Sequence, residues 1–178
     1  MTLNELTYQV LEHIEPNRED DSSFSTRLIK DIIHSKRALF LRNELNKMRT
    51  APEHIQQQIA CLEIEEVDDA ECCDFESGCN VKRSKLEIPQ LLHLHNKLAL
   101  TRVGPAPFGA APYLIMSYND ALYFGNGRYN KNAIASYFRN GRIYVVSNSN
   151  INILELISIR GIFEHPNDLK VFSNCSGN

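Results

Sequence analysis

The chain lacks tryptophan altogether and spreads only 8 glycines and 7 prolines over 178 residues. It has no internal repeat and no low-complexity tract, so repeat and compositionally biased architectures are excluded. No run approaches the ~20 consecutive apolar residues of a membrane span, and the polar start MTLNELTYQ is not a signal peptide. A protein made and assembled in a cytoplasm, without a membrane partner, is expected. Charge of one sign is also missing: 19 basic and 22 acidic residues leave a net charge of −3. That balance lacks the excess expected of a duplex-binding protein.

Chemistry-bearing motifs are equally scarce. GNGR at positions 125–128 fits neither the GxxxxGK[ST] frame that wraps phosphates nor the GxGxxG frame, and its ordinary reading is a turn that places Arg128 at a surface. No nucleophile elbow or other local signature selects a catalytic pair. Five cysteines, an odd number with Cys72 and Cys73 adjacent, do not form a secreted disulfide framework. Cys72, Cys73 and Cys79 lack the paired CxxC spacing of a zinc knuckle and read as loop or partly buried thiols. His93 and His95 would share one face of a strand, but no acidic or cysteine ligand is fixed beside them. No catalytic residue, cofactor or metal is therefore assigned.

What is present is enough for a real core. A chain of this length buries roughly 70% of its unfolded surface, and its order is helices first, strands afterwards. Leu3, Leu6, Val10, Leu11 and Ile14 recur at helical spacing and predict a short amphipathic docking helix ended by Pro16. A second helix is expected over 22–48, capped by Asp21 or Ser22 and roughly 40 Å long. Its apolar pattern changes side. Leu28, Ile29, Ile32, Ile33, Leu39 and Phe40 share one broad side, whereas Ala38, Leu41, Leu45 and Met48 lie on roughly the opposite one. Either the helix is kinked or buried within one fold, or one half packs on its own domain and the other on a neighbouring subunit.

From position 51 onward the pattern is β. IACLEIEEV alternates, with Ala60, Leu62 and Ile64 on one face and Glu63 and Glu65 on the other. DDAECCDFESGCN reads as an exposed acidic loop, and VKRSKLEIP as a strand with a basic outer face. Residues 91–103 satisfy helix and strand periods in part, with strand preferred, and GPAP then forces a rigid turn. Further strands are expected over 113–118 and 153–163, with a turn at Asn119-Asp120, a helical turn near 130–135 and a short helix from Pro166 to Phe172. The clearest local signal is Asn140-Gly141 between two aromatic and β-branched runs, the signature of a two-residue type I′ hairpin. It should place Arg139 opposite Arg142, Phe138 opposite Ile143 and Tyr137 opposite Tyr144. The fold class is thus α+β: a helical region over 1–50, and a mainly antiparallel β domain over 51–178. The basic residues Arg83, Lys85, Arg102, Arg128, Arg139, Arg142 and Arg160 form either a solvated strand face or a set that bridges to the acidic loop of a neighbouring copy.

Several phrases carry a resemblance: DDSSFSTRLIKDIIHSKRALFLRNELNK, CLEIEEVD, GCNVKRSKLEIP, TRVGP, YFGNGRYN, FRNGRIYVVS and ISIRGIFEHP. Together, over 20–166, the chain resembles a family of structural proteins from crAss-like podoviruses, tailed phages of gut Bacteroidales. The resemblance implies a non-enzymatic virion ring protein of the neck or tail, a head-to-tail connector joining the portal to the tail. It further implies a homo-oligomer of twelve copies around a channel through which DNA passes without specific binding. Relatives are expected to continue beyond SNCSGN with a further Cys-bearing, Pro-rich tail. The expected interface residues are Ala38, Leu41, Leu45 and Met48 on the long helix, with Arg128, Arg139 and Arg142. The reading from a different class is a small cytoplasmic nucleic-acid-binding or regulatory protein that uses the Arg-bearing aromatic hairpin.

Overall fold

The computed structural model describes residues 2–14, 25–48, 51–68, 72, 75, 80–95, 98–106, 110–124, 133–148, 151 and 154–172. Two helices come first, α1 (Leu3–Ile14) and α2 (Thr26–Lys47). A 3-10 turn (Glu53–Ile55) leads into β1 (Gln57–Glu66), followed by β2 (Val81–Ser84), β3 (Leu100–Pro105), β4 (Leu114–Ile115) and the one-turn helix α3 (Tyr118–Leu122). Then come β5 (Ile134–Arg139), β6 (Arg142–Ser147), β7 (Leu156–Gly161) and a closing 3-10 segment (Pro166–Phe172). This is the α+β arrangement the sequence pattern implies.

The strands form one sheet in the order β3-β7-β1-β2-β6-β5-β4. Every pairing is antiparallel except the last, β4 with β5. At the hairpin, Asn140 and Gly141 both take positive φ, 50° and 74°, and the ladder pairs Arg139 with Arg142, Phe138 with Ile143 and Tyr137 with Tyr144 as the alternation requires.

The sheet curls until its two edges meet. Tyr113 N–H donates to Val103 O at 2.8 Å, joining the segment just before β4 to β3. The enclosed side holds the main core, built from Ile59, Leu62, Val103, Ile143, Val145, Ile157, Ile159 and Phe163. A second cluster covers the outer face of the hairpin, where Tyr137 and Tyr144 stack with their rings 4.9 Å apart and 7° from parallel. Phe75, Ala121 and Phe124 close over that pair.

Several sequence expectations are corrected by this geometry. In β1 the register shifts between Ile59 and Leu62. Those two residues face the core while Ala60 is exposed, because the irregularity breaks the strict two-residue alternation. Residues 91–103 are not one strand. Leu91 and His93 make isolated bridges to Phe163 and Leu98, and only Leu100 onward joins the sheet. Asn119-Asp120 lies within α3, whose start is capped by Ser117 Oγ accepting from Asp120 N–H at 3.2 Å. β4 keeps only two residues of the expected 113–118, and within β2 Lys82 is buried with its ammonium on Leu154 O at 2.9 Å.

α2 begins later than its pattern suggested, with Ser25 Oγ accepting from Leu28 N–H at 3.1 Å. The expected caps Asp21 and Ser22 lie outside the described residues, as do 130–132 of the expected helical turn, whose Ile134 and Ala135 belong instead to β5. Cys61 and Cys72 are disulfide-bonded, which corrects the reading of Cys72 as a loop or partly buried thiol, and Cys72 and Phe75 are buried where an exposed loop was expected. Cys73, Cys79 and Cys175 fall outside the described residues.

Candidate functional site

Among the described residues, only part of the circumference of α2 packs against the chain itself. One side is fixed to the β body. Ala38 and Leu45 are 8% and 5% exposed and pack with Leu92, Ala99 and Ile162, with Leu41 against the same cluster. Polar ties reinforce the seat: Arg37 Nη1 donates to Phe163 O at 3.1 Å, Arg42 pairs with Glu164 at 3.3 Å, and His95 N–H donates to Asn46 Oδ1 at 2.9 Å. α1 packs on α2 as well, and Leu11 and Ile29 are the most deeply buried apolar residues of the two helices.

The opposite side is bare. Leu28 and Ile32 are each 45% exposed, Leu39 48% and Phe40 64%. Burying apolar area is worth roughly 25 cal/mol per Å², so this stripe is surface that a partner could stabilise. Leu28, Ile32, Ser35 and Leu39 follow a 4-3-4 spacing, the narrow seam of a helix that packs along a single line.

The residues expected at an interface therefore distribute differently. Ala38, Leu41 and Leu45 face the chain's own β body, because Leu92, Leu94, Ala99 and Ile162 pack on that side of the helix. Met48, 46% exposed, lies just past the helix end. Arg142 is spent within the chain, donating to Ser84 O at 2.9 Å and Lys85 O at 2.8 Å and lying 3.5 Å from Glu65. Arg139 sits over the Tyr118 ring, 4.0 Å from its centroid. Arg128 lies outside the described residues. Among the other basic residues, Arg83 pairs with Glu65 at 2.8 Å and Lys85 with Glu63 at 3.1 Å, and Arg102 donates to Ala110 O at 2.9 Å.

A second apolar feature lies where the curled sheet fails to close. Beside the Tyr113–Val103 bond the edges diverge into a groove of about 590 Å³, lined by Leu98, Leu100, Ile115, Met116, Ser117, Tyr118, Asp120 and Phe138. Its rim strand β4 has only two residues, and Leu114 and Ile115 are 49% and 43% exposed. Tyr113, at the closed end, is buried enough that the pKa of its hydroxyl is pushed up to about 12.

The hairpin offers no stacking platform, since Tyr137 and Tyr144 are 2% and 6% exposed. Among the described residues no group of three metal-binding side chains occurs, and none of their helices is long and apolar enough to cross a membrane. The sequence signal that could have identified the free stripe was the 4-3-4 spacing itself. It was masked because Ile29 and Ile33 lie on the same broad side and are covered.

An exposed apolar stripe on a helix and an apolar groove at the sheet seam are surfaces that would suit a subunit of an assembly. Comparison with protein families says of which assembly: residues 5–178 match the family described as phage tail ring protein 2, CrAss_Ring_2. The chain belongs to that family and is a structural ring protein of a crAss-like phage tail, a component of the virion. A search of curated proteins returned no match.

Proposed function

We propose that this ring protein is a non-enzymatic head-to-tail connector that joins the portal to the tail around the DNA channel. It is present in twelve copies, matching a portal, and is assembled in the host cytoplasm. The bare stripe of α2 carries the reading: Leu28, Ile32, Leu39 and Phe40 leave apolar surface that a neighbouring subunit would bury, on a helix whose other side packs on the chain's own β body. A ring subunit needs such a surface, because head-to-tail contacts close only when each copy offers a face to the next. The mildly acidic balance, −3 overall, supports a channel role, since a basic wall would hold phosphates that must slide past. Cryo-electron reconstruction of the virion neck tests this. A ring of twelve copies coaxial with the portal is expected, and absence of the chain from purified virions would sink the reading.

A further inference from the structure

We propose that the stripe of α2 in one subunit packs into the sheet-seam groove of the next copy, making the ring contact heterologous. This rests on the ring reading above and specifies its interface. The two surfaces differ, one a convex line of side chains and the other a concave gap, and the gap cannot be filled by a second gap of its own kind. The stripe cannot reach its own groove, because its helix is anchored on Leu92, Ala99 and Ile162.

Charge favours the match and gives it a direction. At about 100° per residue, the exposed Lys36 borders the stripe on one side, and on the other lie the exposed Asp31, and Arg42, whose charge is met by Glu164 at 3.3 Å. Among the described lining residues of the groove, Asp120 carries the only charge. The Lys36 border therefore turns toward Asp120, and the Asp31 border turns away from it. Edge protection favours the match too. β4 is a two-residue edge strand with both side chains exposed, and covering such an edge with a helix is a standard way to keep it from pairing indiscriminately. Leu28, Ile32 and Leu39 would meet Leu98, Leu100, Ile115, Met116 and Phe138, with Lys36 near Asp120.

The full-length chain tests this through two substitutions at exposed positions, Ile32→Asp on the stripe and Ile115→Asp in the groove. Thermal unfolding first checks that each folds as the wild type does. Native mass spectrometry and light scattering then read assembly. The wild type is expected to form closed rings. Each variant alone should lose association roughly a hundredfold and run as a monomer. Mixed in equal amounts, they should give a one-to-one heterodimer and nothing larger, because only one stripe and one groove remain intact.

Three outcomes overturn the proposal. Ile115→Asp assembling like the wild type would mean the stripe meets some other surface. A mixture that stays monomeric would mean that stripe and groove do not meet. A wild-type chain that never self-associates would assign the stripe to a different tail protein. None of the three removes the ring reading, which falls only if virions lack the protein.

Discussion

The guanidinium of Arg139 lies 4.0 Å over the ring of Tyr118, tying the tip of the hairpin to the first turn of α3. Both residues carry roles inside the subunit. Arg139→Ala should therefore lower the unfolding free energy by about 0.5–1 kcal/mol and leave ring formation intact at temperatures where the subunit is folded. Denaturant titration measures the first and light scattering the second. A loss of assembly without a loss of stability would return Arg139 to the interface.

Gly161 is held where no side chain fits. A Cβ there would stand 2.8 Å from Ala99 O and 2.9 Å from Leu91 Cδ2, at the position where β7 pairs with both β1 and β3. Gly161→Ala should cost about 1–3 kcal/mol as overpacking, read as a drop in the denaturation midpoint. Gly141→Val acts by a different route, since φ of 74° is strained for a β-branched residue by about 1–3 kcal/mol. An unchanged midpoint for either variant would mean that the hairpin or the β3–β7 pair relaxes freely.

Leu45 and Ile32 separate folding from assembly on a single helix. Leu45→Ala opens a cavity beneath α2 and should destabilise the monomer by about 2–5 kcal/mol. Ile32→Ala, on the bare side, should change monomer stability by less than about 0.5 kcal/mol and weaken assembly. Equal stability losses in the two variants would show that the stripe is part of the subunit's own core.

His34 makes the α2 seat sensitive to acid. Burial, aided by His165 and Arg37, holds its pKa below the usual 6.5, while Asp31 and Asp168 act in the opposite sense more weakly. Asn167 Nδ2 lies 3.3 Å from His34 Nε2, so an amide that donates there occupies the lone pair a second proton would need. A histidine depressed in the folded state binds fewer protons there than in the unfolded chain. Its stabilising contribution is complete above about pH 6.5 and is lost as pH falls from there through the lower folded value. Unfolding midpoints measured from pH 7.5 down to 5 should fall, and His34→Gln should flatten that slope. A slope unchanged by the substitution would assign it elsewhere.

The parts of the fold that were legible are those set by local chemistry. Asn140-Gly141 dictates its turn through backbone sterics, and the pairing of Tyr137 with Tyr144 follows automatically. The two-sided character of α2 was visible in its spacing. Which side would be private was not, because periodicity groups residues by angle and says nothing about what covers each angle. Here Leu92, Ala99 and Ile162, far along the chain, decide it. The same holds for Ile59 and Leu62, whose shared burial depends on an irregularity that only the β7 pairing imposes. Cys61 stands apart from the other cysteines in sequence, so its disulfide could not be read from spacing.

Ala38 and Leu39 are neighbours in the chain, yet one is sealed against the sheet and the other points to solvent. In a ring built through this helix, the roughly 100° between consecutive side chains would set the direction in which each subunit meets the next. Curvature, and with it the number of copies that close the circle, would then be encoded in helical phase. Inserting one residue at Ser35-Lys36 would turn Leu28 and Ile32 away from the angle fixed by Ala38 and Leu45, and the assembly would lose its closure geometry before the β body lost its fold.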